Sequence, residues 1–153
     1  MKATELRIGN KFHMLGSKMV NTVFAISDNT DRGKFNCDTP THKEMYSHLI
    51  TVEENGNQYK PWEMDGIPLT EEWLAKFGFE KNMGFKSMRK SIHTGPVRWE
   101  SNTYIVVGGI DSWIDVIRDS DGLVFQTPSL PCQYVHQLQN LYFALTGNEL
   151  ELK

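Results

Sequence analysis

The segment Gly66 to Lys81, GIPLTEEWLAKFGFEK, carries both ends of a helix in one short stretch. No other part of the chain restricts its own conformation as tightly. Thr70 stands where an N-cap belongs, with a hydroxyl able to accept one of the backbone N–H groups that a first helical turn leaves without a partner. Glu71 and Glu72 then put negative charge at the positive end of the helix dipole. Leu69 and Leu74 have the N′ and N4 spacing of a hydrophobic staple, and Gly78 suits the left-handed position that closes helices. The spacing predicts a short helix over Thr70 to Phe77, burying Trp73, Leu74 and Phe77. Adjacent helix positions point about 100 degrees apart, so Glu71 and Glu72 do not converge on one substrate atom. They read as capping residues, not as a catalytic pair.

The flanks of this helix read as strands. Leu6, Ile8 and Phe12 open the chain around the turn pair Gly9-Asn10, and after Leu15 to Lys18 the run V-N-T-V-F-A-I-S (Val20 to Ser27) is rich in β-branched residues. Asp28 to Lys34 has the Asn, Asp and Gly content of a loop. A strand is expected over Leu49 to Val52, followed by a hairpin turn at Asn55-Gly56, the pair favoured by type I′ geometry. Phe79 to Thr127 looks like a β meander, with strands at Tyr104 to Val107, Trp113 to Arg118 and Leu123 to Thr127, the last two joined by a turn at Asp119 to Gly122. Pro128 and Pro131 end the meander.

A last helix is expected over YVHQLQNLYFALTG, Tyr134 to Gly147. On a helical wheel Tyr134, Val135, Leu138, Leu141, Tyr142 and Leu145 form a core stripe. His136, Gln139, Asn140 and Phe143 gather on an adjoining face, where His136, Gln139 and Phe143 are candidate contacts for a partner. Leu150 and Leu152 alternate like a short closing strand. The fold class is therefore α+β: a small N-terminal SH3-like antiparallel barrel or sheet, a short central helix, a β meander and a C-terminal helix packed on the sheet. We expect a single compact domain over residues 1–153, with a subdivision near Lys60-Pro61 into a β-barrel-like lobe (1–60) and an α+β lobe (61–153).

Composition excludes several classes. With 153 residues, 39% hydrophobic and 23% charged, the chain has the make-up of an ordinary globular protein. No apolar run approaches the roughly 18 residues of a membrane span, and MKATELRIGN lacks the basic-then-apolar pattern of a secretory signal. Two distant cysteines, Cys37 and Cys132, do not suggest a disulfide framework, so a cytoplasmic setting is expected. Lys+Arg 16 against Asp+Glu 19 gives a formal net charge of -3, which argues against a general nucleic-acid binder. One stretch departs from that balance. Lys81, Lys86, Arg89, Lys90 and Arg98 follow one another with no acid between them, and they are the candidate contact for nucleic acid or another anion. Phe79, Phe85 and Trp99 could stack on bases there, although core packing explains aromatics more simply.

Catalytic and metal signatures are weak. Cys37, His42 and His48 lack the tight paired spacing of zinc ligands. Cys132 and His136 form a Cys/His pair beside a helix start, but no nucleophile motif surrounds them. Asp119 to Gly122 lacks the further ligands of a calcium loop. Gly16 to Lys18 is an incomplete phosphate loop, Val106 to Asp111 lacks the dinucleotide glycine order, and no G-x-S-x-G is present. The sequence thus assigns no catalytic residue, no metal and no cofactor.

Three motifs in order, ELRIGN (Glu5 to Asn10), GIPLTEEWLAKFGFEK and YVHQLQNLYFALTGNELELK, resemble a widespread group of small uncharacterised proteins found in Bacteroides-type bacteria, their phages and other mobile elements. The resemblance implies a shared scaffold and carries no catalytic residue or cofactor with it. Together with the small size, the acidic balance and the lack of a catalytic motif, it leads us to expect a non-enzymatic interaction module whose partner is a host or phage protein, acting in the host cytoplasm; inhibition of bacterial immunity is one concrete form, which the resemblance alone suggests. A nucleic-acid-associated regulator using Lys81 to Arg98 is the alternative, and a small metal- or Cys/His-dependent enzyme a third. Phe35 to Trp62 and Asn82 to Tyr104 look individual to this chain.

Overall fold

A computed structural model describes residues 5–28, 48–81, 87–92, 102–108, 113–120, 123–126 and 130–153. They form antiparallel sheets and two helices, an α+β architecture. The chain divides into two compact units, Met1–Ile67 and Pro68–Lys153. The boundary falls later than Lys60-Pro61 because residues just beyond that point pair back into the first sheet, as described next.

The first sheet contains β1 (Lys11–Met14), β2 (Val20–Asp28), β3 (His48–Val52), β4 (Gln58–Tyr59) and β5 (Met64–Asp65) in the spatial order β4-β3-β2-β1-β5. Local chemistry sets each connection. Gly9, at φ 86, lets its N–H reach Val23 O at 2.8 Å, and the Asn10 carbonyl accepts from the Val23 N–H at 2.9 Å. The β1–β2 turn closes through a Ser17 N–H to Met14 O bond of 2.8 Å, with Gly16 at φ 76. A register shift between Val23 and Ala25 bends β2. A 3-10 turn over Pro61–Glu63 then hands the chain to β5, which pairs with β1 at His13 and Met14.

Two expectations for this unit change. The β3–β4 connection is not a two-residue turn at Asn55-Gly56. The Val52 N–H donates to Asn57 O at 3.0 Å and the Gly56 N–H to Val52 O at 2.8 Å, so the loop runs from Glu53 to Gly56. The Asn55 side chain caps it by accepting from the Asn57 N–H at 2.8 Å. Nor is the sheet closed: no ladder joins β4 to β5 among the described residues, which leaves an open sheet. Its core is Leu6, Phe12, Val23, Ile50, Val52 and Met64, with Met14, Ile26 and Tyr59 packed against them.

In the second unit α1 (Glu71–Lys76) forms as its caps dictate. The Thr70 hydroxyl accepts from the Trp73 N–H at 3.4 Å, and Gly78 takes a left-handed φ of 75. Leu74 and Phe77 are buried, whereas Trp73 is only half-buried. The sheet that follows has the order β10-β9-β8-β7-β6, built from β6 (Glu80–Lys81), β7 (Ser87–Ile92), β8 (Asn102–Gly108), β9 (Trp113–Ser120) and β10 (Leu123–Gln126). Short β11 (Leu130–Pro131) pairs with β9 on the side where β10 has ended. Ser120 pairs with Leu123, so the expected turn at Asp119 to Gly122 has its tip outside the described residues.

Register places Met88, Val107 and Ile114 side by side, and Lys90, Ile105 and Val116 in the next rank. Both ranks lie on one face, and Met88, Ile105, Val107 and Ile114 are buried there. The opposite face holds the rank Arg89, Val106 and Asp115, of which Val106 and Asp115 are also buried. The last helix, α2 (Val135–Thr146), closes at Gly147 with φ 71, whose N–H bonds Phe143 O at 2.8 Å. Residues 148–153 form no strand. They run irregularly, bury Leu150, and end with the Lys153 N–H bonded to Lys76 O at 2.8 Å. No helix among the described residues is long and apolar enough to cross a membrane.

Candidate functional site

Two features stand out, one in each unit. The first is a cavity of about 370 Å³ in the second unit, lined by Glu80, Arg89, Lys90, Ser91, Tyr104 and Lys153 beside Gly78. It exists because β6 is so short. That strand covers only Met88 and Arg89, which leaves the β7 edge at Lys90 and Ser91 without a neighbouring strand on that side among the described residues. Adjacent residues of a strand face opposite ways, yet at an open edge both can border one cavity. Arg89 and Lys90 therefore both contribute to it.

Each cation is held differently. The Arg89 guanidinium lies 5.6 Å from the centre of the Tyr104 ring. The Lys90 ammonium donates to the Phe77 carbonyl and sits 5.9 Å and 5.7 Å from the Phe79 and Tyr142 rings. Burial, and then the neighbouring charge of Lys153, hold the Lys90 ammonium below the usual lysine range. The Lys153 side chain lies over Gly78, where a Cβ would collide with it. Arg89, Lys90 and Lys153 make no ion pair among the described residues, and Glu80 makes none either. Such an arrangement concentrates positive charge and hydrogen-bond donors. It supplies an anion contact.

The basic stretch seen in the sequence is thus divided. Arg89 and Lys90 come together at the cavity. Lys81 stands exposed on β6 with its ammonium 3.7 Å from Glu71, and Lys86 and Arg98 lie outside the described residues, as do Phe85 and Trp99. Phe79 is buried, a core residue more than a stacking platform. Lys153, far away in sequence, belongs to the cluster. The irregular segment after Gly147, tied to the end of α1, brings it there, and no local signal announces it.

The second feature is the β1–β2 hairpin of the first unit. Leu15 is 65% exposed and Met19 67% exposed at its tip, and Val20 beside them is exposed as well. Ile8 and Phe24, also exposed, lie toward the other end of the same strand pair. Hydrogen bonds fix both ends of the hairpin. The Asn10 Oδ1 accepts from the Arg7 N–H at 2.8 Å, and the Leu15 N–H donates to Glu63 O at 2.8 Å. Sequence patterning missed this feature because Leu15 fell in the connector Leu15 to Lys18, and single apolar residues in a connector are ordinary.

The remaining candidates resolve as follows. His136 and Gln139 are each 2% exposed, so neither presents a side chain to a partner from this helix, and Phe143 is half-buried. The wheel erred because α2 buries both of its faces: Val135 and Leu138 from the expected stripe, His136 and Gln139 from the other. Tyr134, placed in the stripe, is exposed and stacks on His136 with ring centres 5.7 Å apart. The Cys132 thiol is buried, donates to Tyr134 O at 3.8 Å, and is pushed up to about 12 by burial. It stays protonated at neutral pH, which removes the thiolate a nucleophile needs. Among the described residues no three His, Cys, Asp or Glu side chains cluster as metal ligands. His48 begins β3, while Cys37 and His42 lie outside the described residues.

Compared with known proteins, the chain matches no family model, no curated protein and no solved structure.

Proposed function

We propose that this protein is a non-enzymatic interaction module, encoded by a phage or mobile element, that binds a host or phage protein through the tip of its β1–β2 hairpin. The observation that carries this reading is the exposure of Leu15 and Met19 at 65% and 67% in the β1–β2 connection, next to exposed Val20 at the start of β2. Scattered apolar residues on a surface are normal, but several gathered on one projecting element favour a protein contact. The partner meets side chains and does not add a strand, because both edges of this sheet, β4 and β5, are two residues long. The first unit is read as an SH3-like scaffold, supported by the order β4-β3-β2-β1-β5 and by the 3-10 turn between its last two strands. Inhibition of bacterial immunity is the concrete form that the resemblance to phage and mobile-element proteins favours.

The test is capture from a lysate of a Bacteroides-type bacterium by the tagged wild type and by a Leu15→Ser/Met19→Ser variant. A protein retained stoichiometrically by the wild type and lost with the variant supports the proposal. Equal capture by both chains, or capture by neither, contradicts it.

A further inference from the structure

The geometry points to a binding site for a phosphate monoester of metabolite size in the cavity between Arg89, Lys90 and Lys153. The site belongs to the second unit and does not rest on the protein-interaction reading, which concerns the first.

Charge sets the ligand class. Of the side chains that line the cavity, three are cationic and one, Glu80, is a carboxylate, a side-chain sum of two formal positive charges, and none of these side chains is ion-paired among the described residues. Like charges gathered beside a partly buried lysine cost free energy unless an anion joins them. A phosphate monoester carries about -1.5 to -2 charges at pH 7 and three strong acceptor oxygens. It therefore balances the cavity, which a monocarboxylate with one charge does not. The donor types match as well: the guanidinium offers a planar fork suited to two phosphate oxygens, and Lys90, Lys153, Ser91 and Tyr104 line the same space.

Size sets the scale of the ligand. A volume of about 370 Å³ falls at the small end of pockets for metabolites, which run from about 300 to 1,000 Å³. A nucleic-acid backbone would need a track of cations. Here the cations line one cavity with Glu80 on its wall, and the other described member of the basic stretch, Lys81, faces Glu71 at 3.7 Å.

The scaffold is prepared for the contact. Lys90 is fixed by the Phe77 carbonyl and two rings, so its side chain has little freedom left to lose on binding, and Arg89 lies over the Tyr104 ring. Gly78 keeps the space in which the Lys153 side chain lies.

The experiment is an amide NMR titration of the full chain with inorganic phosphate, ribose 5-phosphate, ribose and a single-stranded oligonucleotide. Saturable shifts at Arg89, Lys90, Ser91 and Tyr104 are expected with phosphate and ribose 5-phosphate, and none with ribose. Arg89→Gln and Lys153→Ala, both outside the core, should keep the wild-type spectrum elsewhere and weaken ribose 5-phosphate binding about tenfold each. The proposal is overturned by the absence of saturable shifts up to about 10 mM phosphate or ribose 5-phosphate. It is equally overturned by undiminished affinity in both variants, or by binding of the oligonucleotide alone.

Discussion

Glu54 holds Thr22 at two atoms: its carboxylate accepts from the Thr22 N–H at 3.0 Å and from the Thr22 hydroxyl at 2.8 Å. The Lys11 ammonium reaches the same hydroxyl at 3.2 Å, and the Glu53 N–H donates to the Thr22 carbonyl at 3.0 Å. The loop after β3 is thereby fastened near the start of β2, the strand that carries one side of the exposed hairpin. Burial alone would raise the Glu54 carboxyl. The two bonds from Thr22 and the charge of Lys11 outweigh it and hold the group below the usual range.

This relationship predicts a pH-dependent contribution. A depressed carboxylate adds stability above its unfolded value, near 4.5, and loses it as pH falls through the lower folded value. Glu54→Gln should cost about 0.5–1.5 kcal/mol at pH 7. Thermal unfolding of both chains from pH 7 to pH 3 should show that gap closing toward acid. A gap that stays constant over the range would contradict the assignment.

Gly108 is the place where the second sheet tolerates no side chain. A Cβ there would overlap the indole of Trp113, which covers the glycine from the next strand. Gly108→Ala should destabilise the protein by about 1–3 kcal/mol through overpacking and displace the Trp113 indole N–H resonance. An unchanged melting midpoint would show that the ring moves aside freely.

Cys132 should be chemically silent in the folded chain. Its thiol is buried and pushed up to about 12, so iodoacetamide at pH 8 should leave the Cys132 peptide unmodified under native conditions and label it fully in denaturant. Folded-state protection also means that stability falls as pH rises above the unfolded thiol value of 9.0. Native labelling of Cys132 at the rate of a free thiol would place it in a different environment.

The parts of the fold that were legible in the sequence are those with local chemistry. Thr70 and Gly78 announce α1, Gly147 announces the end of α2, and the β-branched runs announce β2, β3, β8 and β9. β7 was hidden for a physical reason. Its inward rank is Met88, Lys90 and Ile92, and a lysine in the middle breaks the period-2 signal although the Phe77 carbonyl and two rings accommodate it. Strands of two residues, such as β4, β5 and β6, are too short to show any period. The buried face of α2 that holds His136 and Gln139 looks polar in sequence, and only tertiary packing makes it interior. Half of the cationic cavity was visible as Arg89 and Lys90. The other half depends on Lys153, which an irregular terminal segment brings alongside.

Site-specific photocrosslinking would show whether the proposed partner docks on the hairpin tip. A benzophenone side chain would replace Leu15 or Met19 in turn, with Glu53, an exposed residue of the β3–β4 loop, as the control. Irradiation of cells expressing each chain should give one discrete adduct of the same mass from positions 15 and 19 and none from position 53. No adduct from either tip position, or the same adduct from position 53, would contradict the account.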